Sequence, residues 1–331
     1  MRSLLSRIVV ALAVAGVASS AANAIEPKYL PPNAEVAITI NLKQMLDSQL
    51  FKDKEDLIDQ GKAFLKAKLD ESPAKEYLDK AGFDIFRDLH SITVTSDGSK
   101  DPDAAFIVIE GEFNPEKLVA VAKEAAAAGG DKLKVTKAGN VNIFEITPKE
   151  NEKTIYAGLI SDSIMVAAPS RDALNATIAR INGNKTAALK PAFKQVLATT
   201  NKKQSLSIVA TAAGIAKMAE SAPRQPGADA AAMLDSLESV ALSITVNKGI
   251  AFQAAGNAKD EDSAKKMSGA GNLGLTMARG AAAQKAQDNE GLRPIVDIAK
   301  SLRITTEGNN VILRGEITQA NLDQLLSLIG R

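Results

Sequence analysis

Six residues, "GAGNLG" at 269–274, place Gly269, Gly271 and Gly274 at the spacing of a dinucleotide-binding loop. Such a loop works because a strand ends at the first glycine and a helix begins at the last, so free N–H groups meet a pyrophosphate. Here the residues before Gly269 read "DEDSAKKMS", which is helical in type, and the strand-like "IAFQAAG" ends about a dozen residues earlier. N–H groups already bonded inside a helix cannot hold a phosphate. The glycines are therefore expected within a helix, where they weaken it or allow close packing. "NGNKT" at 182–186 lacks the glycines of a phosphate loop and reads as a polar turn between helices. Acid chemistry would need pairs such as Asp101 with Asp103, or Glu110 with Glu112. The i, i+2 spacing puts the latter on one face of a strand, which is the usual pattern of a solvated side. His90 is the single histidine, so a two-histidine metal site within one chain is excluded, and the residue is expected at a strand edge. No G-x-S-x-G elbow occurs. These readings assign no catalytic residue, no cofactor and no metal ligand.

The sequence has 331 residues and no cysteine or tryptophan. Thiolate chemistry and Cys-ligated metals are excluded, and so few aromatic residues give poor platforms for sugars or bases. The opening "MRSLLSRIVVALAVAGVASSAANA" has Arg2 and Arg7, a short apolar run and an A-x-A site. It predicts a signal peptide over 1–24, cleaved after Ala24, and a periplasmic or secreted protein. The apolar run is shorter than the roughly 20 residues a bilayer span needs, and no later segment is long and apolar enough. Without Arg2 and Arg7 the chain carries 38 basic and 39 acidic residues, a balance that argues against nucleic acid as a partner.

Period-two alternation and short apolar runs predict twelve strands: "EVAITINL", "LHSITVTS", "AAFIVIEGEF", "KLKVTK", "VNIFEIT", "TIYAGLI", "SIMVAAP", "SLSIVAT", "SLESVALSITV", "IAFQAAGN", "SLRITTE" and "NVILRGEI". Turns at "AGN", "SD", "NKG" and "GNN" make hairpins. Helical spacing predicts one long helix from Leu42 to about Leu69, a short one after Pro73, and helices opened by Asn114–Pro115, Ser170 and Thr318. The order of elements from 25–200, apart from an extra hairpin near 133–147, recurs over 201–331. This predicts a tandem duplication in an α+β fold, with a mostly antiparallel sheet and helices on one face.

In the first strand, Val36, Ile38 and Ile40 are expected toward the core, leaving Thr39 and Asn41 on the second face. Thr93, Thr95, Ser243 and Thr245 extend that mildly polar face. It is expected to be exposed, and is the first place to seek a docking surface.

The phrase "LPPNAEVAITINLKQMLDSQLF" resembles the start of uncharacterised exported proteins of Gram-negative bacteria, especially of planctomycete type. Leu30, Pro31, Ala34, Asn41, Leu42, Met45 and Ser48 carry the likeness. The resemblance implies export and an α+β layout and assigns no activity. The leading expectation is a non-enzymatic binding or interaction module that meets an envelope protein. The alternatives are a carrier of an apolar ligand held between sheet and helices, and, more remotely, a carboxylate hydrolase.

Overall fold

Each of the twelve runs forms a strand, and the strands join one antiparallel sheet. The computed structural model describes residues 25–71, 74–99, 101, 105–129, 133–147, 153–220 and 234–329. The expected signal peptide at 1–24 and Asp103 lie outside the described residues, as does the segment "SAPRQPGADA".

The chain begins with a short 3-10 turn, then β1 (Val36–Asn41) and α1 (Leu42–Leu46). Next come α2 (Gln49–Asp53), α3 (Glu55–Asp70), α4 (Ala74–Ala81), β2 (Leu89–Ser96), β3 (Phe106–Gly111) and α5 (Pro115–Gly129). Two hairpins follow, β4 (Leu133–Ala138) with β5 (Val141–Ile146), and β6 (Ile155–Leu159) with β7 (Ile164–Ala168). Then α6 (Arg171–Asn182), α7 (Pro191–Leu197), β8 (Leu206–Thr211), α8 (Ala212–Ala219), β9 (Leu237–Val246) and β10 (Ile250–Ala258) lead to α9 (Glu261–Asp288). The chain continues through α10 (Arg293–Ser301), β11 (Arg303–Glu307) and β12 (Asn310–Ile317) to α11 (Gln319–Ile329).

Caps set the helix boundaries. Asn114 Oδ1 accepts from Lys117 N at 3.0 Å, Ser170 Oγ from Ala173 N at 3.2 Å and Thr318 Oγ1 from Asn321 N at 3.2 Å, each satisfying a donor at a helix start. The single helix expected from Leu42 to Leu69 is instead three. Ser48 is extended and accepts from Phe51 N, which starts α2, and Lys54 leaves helical geometry before α3. A capping side chain inside an apolar periodicity thus overrode the periodicity.

The strand order is β11-β12-β10-β9-β8-β1-β2-β3-β7-β6-β5-β4. Read outward from the β8–β1 pair, one direction gives β1-β2-β3-β7-β6 and the other β8-β9-β10-β12-β11. The centre of that pair is Ile38 opposite Ile208. The pair is closed at each end by a matching bond: Asn41 N donates to Ser205 O at 2.8 Å, and Thr211 N donates to Glu35 O at 2.9 Å.

Helices cover both faces, not one. Leu174 and Ile178 of α6 and Phe193, Val196 and Leu197 of α7 pack on Val108, Val166, Ile143 and Val209. On the other face Leu118, Val119 and Ala122 of α5 pack on Phe144, Ala157 and Leu159. Ile143 and Phe144 are neighbours pointing opposite ways, so their partners lie on opposite sides. β5 carries buried apolar side chains on both faces, and each face needs cover.

Candidate functional site

The isoleucines of the central strands lie on the more open face. The α6–α7 face carries Ala37, Thr39, Ser91, Thr93, Thr95, Ser207 and Val209, all buried. The opposite face carries Ile38, Ile92, Val94, Ile107, Ile109, Leu206 and Ile208, all half-buried, and Ile40, 44% exposed. Three of the residues expected on an exposed face, Thr39, Thr93 and Thr95, are therefore enclosed. The burial is tolerable because the hydroxyls are satisfied: Thr39 Oγ1 and Thr93 Oγ1 are 2.8 Å apart, and Thr95 Oγ1 donates to Phe106 O at 3.3 Å. Asn41 acts as a clamp. Its Oδ1 accepts from Gln44 N at 3.1 Å, and its Nδ2 donates to Lys202 O at 2.7 Å. Ser243 and Thr245 are half-buried, with Ser243 paired across the ladder with Gln253.

A groove of about 450 Å³ lies where the apolar face runs under α9. Its floor is Ile208, Val240, Leu242, Ala254, Gly256, Val311 and Leu313, with Met267 of α9 and Ile304 of β11 as walls. The volume is within the range of small-molecule sites, roughly 300–1,000 Å³. Small residues make the depth. A Cβ at Gly256 would stand 3.0 Å from Leu237 Cδ2 and 3.6 Å from Met267 Cε.

The glycine triplet lies on the helix that carries Met267. Gly269, Gly271 and Gly274 all lie inside α9, whose start is capped by Asp260 accepting from Ser263 N at 2.7 Å. The preceding strand, β10, ends at Ala258 and the helix is already under way at Gly269, so the phosphate reading fails on geometry. Gly271 instead lets α9 approach the sheet, since a Cβ there would meet Ile304 Cδ1 at 2.6 Å, whereas Gly269 and Gly274 face open space. Arg279 fastens the far part of α9 by donating from Nε to Ala299 O at 3.0 Å and from its terminal amine to Leu302 O. These carbonyls end α10, where a cation is favourable.

The charged candidates are dispersed. Glu110 accepts from Lys202 Nζ at 3.2 Å and Ser91 Oγ at 3.3 Å, while Glu112, beyond the end of β3, meets His90 Nε2 at 3.2 Å. Asp101 is paired with Lys153 at 2.6 Å. Glu35, 1% exposed, is held by Lys190 and by the Thr211 hydroxyl, which also accepts from Gly214 N at 3.1 Å. The Arg87 guanidinium hydrogen-bonds Asp88 and holds its carboxyl below the usual carboxylate range, helped by the Asp84 backbone N–H. Burial lowers the Arg180 guanidinium from its ordinary value; it donates to Leu30 O at 2.8 Å and Thr177 Oγ1 at 2.9 Å. Among the described residues no group of three His, Asp or Glu side chains is placed to hold a metal ion, and no helix is long and apolar enough to cross a membrane.

Sequence reasoning found the strands beneath the groove but missed the groove itself. Its one local signal was the run of small residues in "QAAGN", facing a helix that carries Gly271.

No family model matches the chain, and no curated protein matches it. The chain is similar in structure to TP0453. Crystal form III of that protein has 10% identity and a TM-score of 0.45, with 92% of this chain and 98% of that chain covered. Crystal form I has 11% identity and a TM-score of 0.43, with 94% and 99% covered.

Proposed function

We propose that this is an exported, non-enzymatic binding protein of the cell envelope whose apolar sheet face holds an apolar, chain-like ligand. The observation that carries the reading is the groove under α9, walled by Met267 and Ile304 and floored by apolar side chains. Such a surface is costly to leave in water, at about 25 cal/mol per Å², so an apolar occupant stabilises it. The polar face of Thr39, Thr93 and Thr95 is enclosed at its centre, which supports a carrier over a protein-docking module. Glu110 and Glu35 are each engaged by a lysine, and Glu112 by the His90 ring, which supports a binding role over hydrolysis. Export rests on the leader at 1–24. The matching strand order in the two directions supports the reading of 25–200 and 201–331 as two copies of one unit, with the β4–β5 hairpin as the addition to the first.

The test is retention and displacement. Mature protein purified from its native envelope should yield a stoichiometric lipid on organic extraction, read by mass spectrometry. The same protein should bind a fluorescent fatty acid. Ala254→Trp fills the groove floor and should weaken that binding about tenfold, a loss of about 1.4 kcal/mol, with the circular dichroism spectrum unchanged. Protein that carries no lipid and binds the probe equally well with and without Ala254→Trp would sink the proposal.

A further inference from the structure

The apolar floor does not stop at the groove. From the central pair Ile38 and Ile208, the next residues outward on the same face are Val94 on one side and Leu242 on the other. Beyond them come Ile107 and Ala254. All six are half-buried, and the same pairings relate them in both directions. The two sides differ in relief. Ala254 is small and leaves depth under α9, whereas Ile107 in the equivalent place fills it and makes the first half shallower.

The dimensions suit a particular occupant. From β7 to β12 the sheet runs through eight strands, which at about 4.8 Å per spacing is about 34 Å, or about 17 Å for each half. The hydrocarbon core of a bilayer is about 30 Å thick and holds two chains end to end, so one chain needs about 15 Å. Each half of the face thus matches one lipid chain, and the quasi-twofold centre lies where two chains would diverge. We infer that the site takes a lipid with two hydrocarbon chains, one in the α9 groove and the other along Val94 and Ile107. This rests on the carrier reading above.

The absence of tryptophan from the chain makes the test direct. Val94→Trp and Phe252→Trp each install one emitter on this face, one in each half, the second on the strand of Ala254 but outside the floor of the groove; Ile107→Trp replaces the first if circular dichroism shows it misfolded. Full mature chain is titrated with phosphatidylcholine brominated on both acyl chains, and in a second arm with brominated palmitic acid. Quenching of both emitters, saturating at one phosphatidylcholine or two fatty acids per protein, is the expected result. Quenching of Phe252→Trp alone, or saturation at two phosphatidylcholines, overturns the two-chain inference and leaves the groove reading standing. Quenching of neither emitter, together with protein that retains no lipid, removes both.

Discussion

Replacing Gly98 by alanine tests the way the central strand pair is locked. Gly98 has φ 81°, a left-handed conformation that costs an L-residue about 1–2 kcal/mol. A Cβ there would also stand 2.7 Å from the Gly214 carbonyl oxygen and 3.0 Å from Gly214 Cα. Both are backbone atoms that cannot rotate away, and Gly214 is itself wedged, since its own Cβ would meet Glu35 Cβ at 2.9 Å. Overpacking of this kind costs about 1–3 kcal/mol, so Gly98→Ala should lose about 2–5 kcal/mol in total. Gly139, with φ 60° and nothing within 4 Å of a Cβ, supplies the control, and Gly139→Ala should lose only about 1 kcal/mol. Urea unfolding followed by far-UV circular dichroism separates them. With a slope of about 3 kcal/mol per molar, Gly98→Ala should move the midpoint down by about 1 M and Gly139→Ala by about a third of that. A Gly98→Ala midpoint at or above that of Gly139→Ala would refute the stacking of Gly98, Gly214 and Glu35 as a rigid junction.

Three further outcomes are expected. Gly269→Ala and Gly274→Ala face open space within α9 and should each raise stability by about 0.5–1 kcal/mol, whereas Gly271→Ala, pressed on Ile304, should gain less than either in the same urea assay. Lys190→Met leaves the Glu35 carboxylate enclosed without its cation; a loss of about 3 kcal/mol is expected, at the low end for a broken buried pair because Lys190 is itself half in water, and Glu35→Gln in the same chain should recover much of it. Asp88 is harder to protonate folded than unfolded, so the stability it contributes is present above its ordinary value near pH 4 and is lost as pH falls through the lowered folded value. Asp88→Asn should flatten that acid limb in thermal melts between about pH 5 and pH 2, and an unchanged acid slope would contradict the assignment.

The strands were legible because alternation is a local signal, and Val36–Asn41 or Arg303–Glu307 needed no distant residue to be recognised. Which side of a strand is enclosed is not local. Alternation in β1 separates Ile38 and Ile40 from Thr39, and the rule that apolar residues turn inward then assigns the wrong side. The reason is that α6 and α7 pack over the threonine face, where Thr39 and Thr93 satisfy each other. Nothing near Thr39 in the sequence announces Thr93, which lies 54 residues on. The glycine triplet was read correctly because its flanking residues were helical. The groove was not found because its walls, Met267 and Ile304, meet its floor only through the strand order. Likewise Ser48 was indistinguishable from a polar helix residue until its bond to Phe51 N marked a helix start.

The lock between β1 and β8 has a consequence for biogenesis. Synthesis delivers the N-terminal half first, yet one side of β1 has no hydrogen-bonding neighbour until residues 206–211 arrive. During that interval a strand rich in isoleucine offers a bare ladder, the kind of edge that recruits other chains. Maturation of this protein therefore depends on its tail reaching its head before a stranger does, and truncation ahead of Leu206 leaves that edge permanently unpaired.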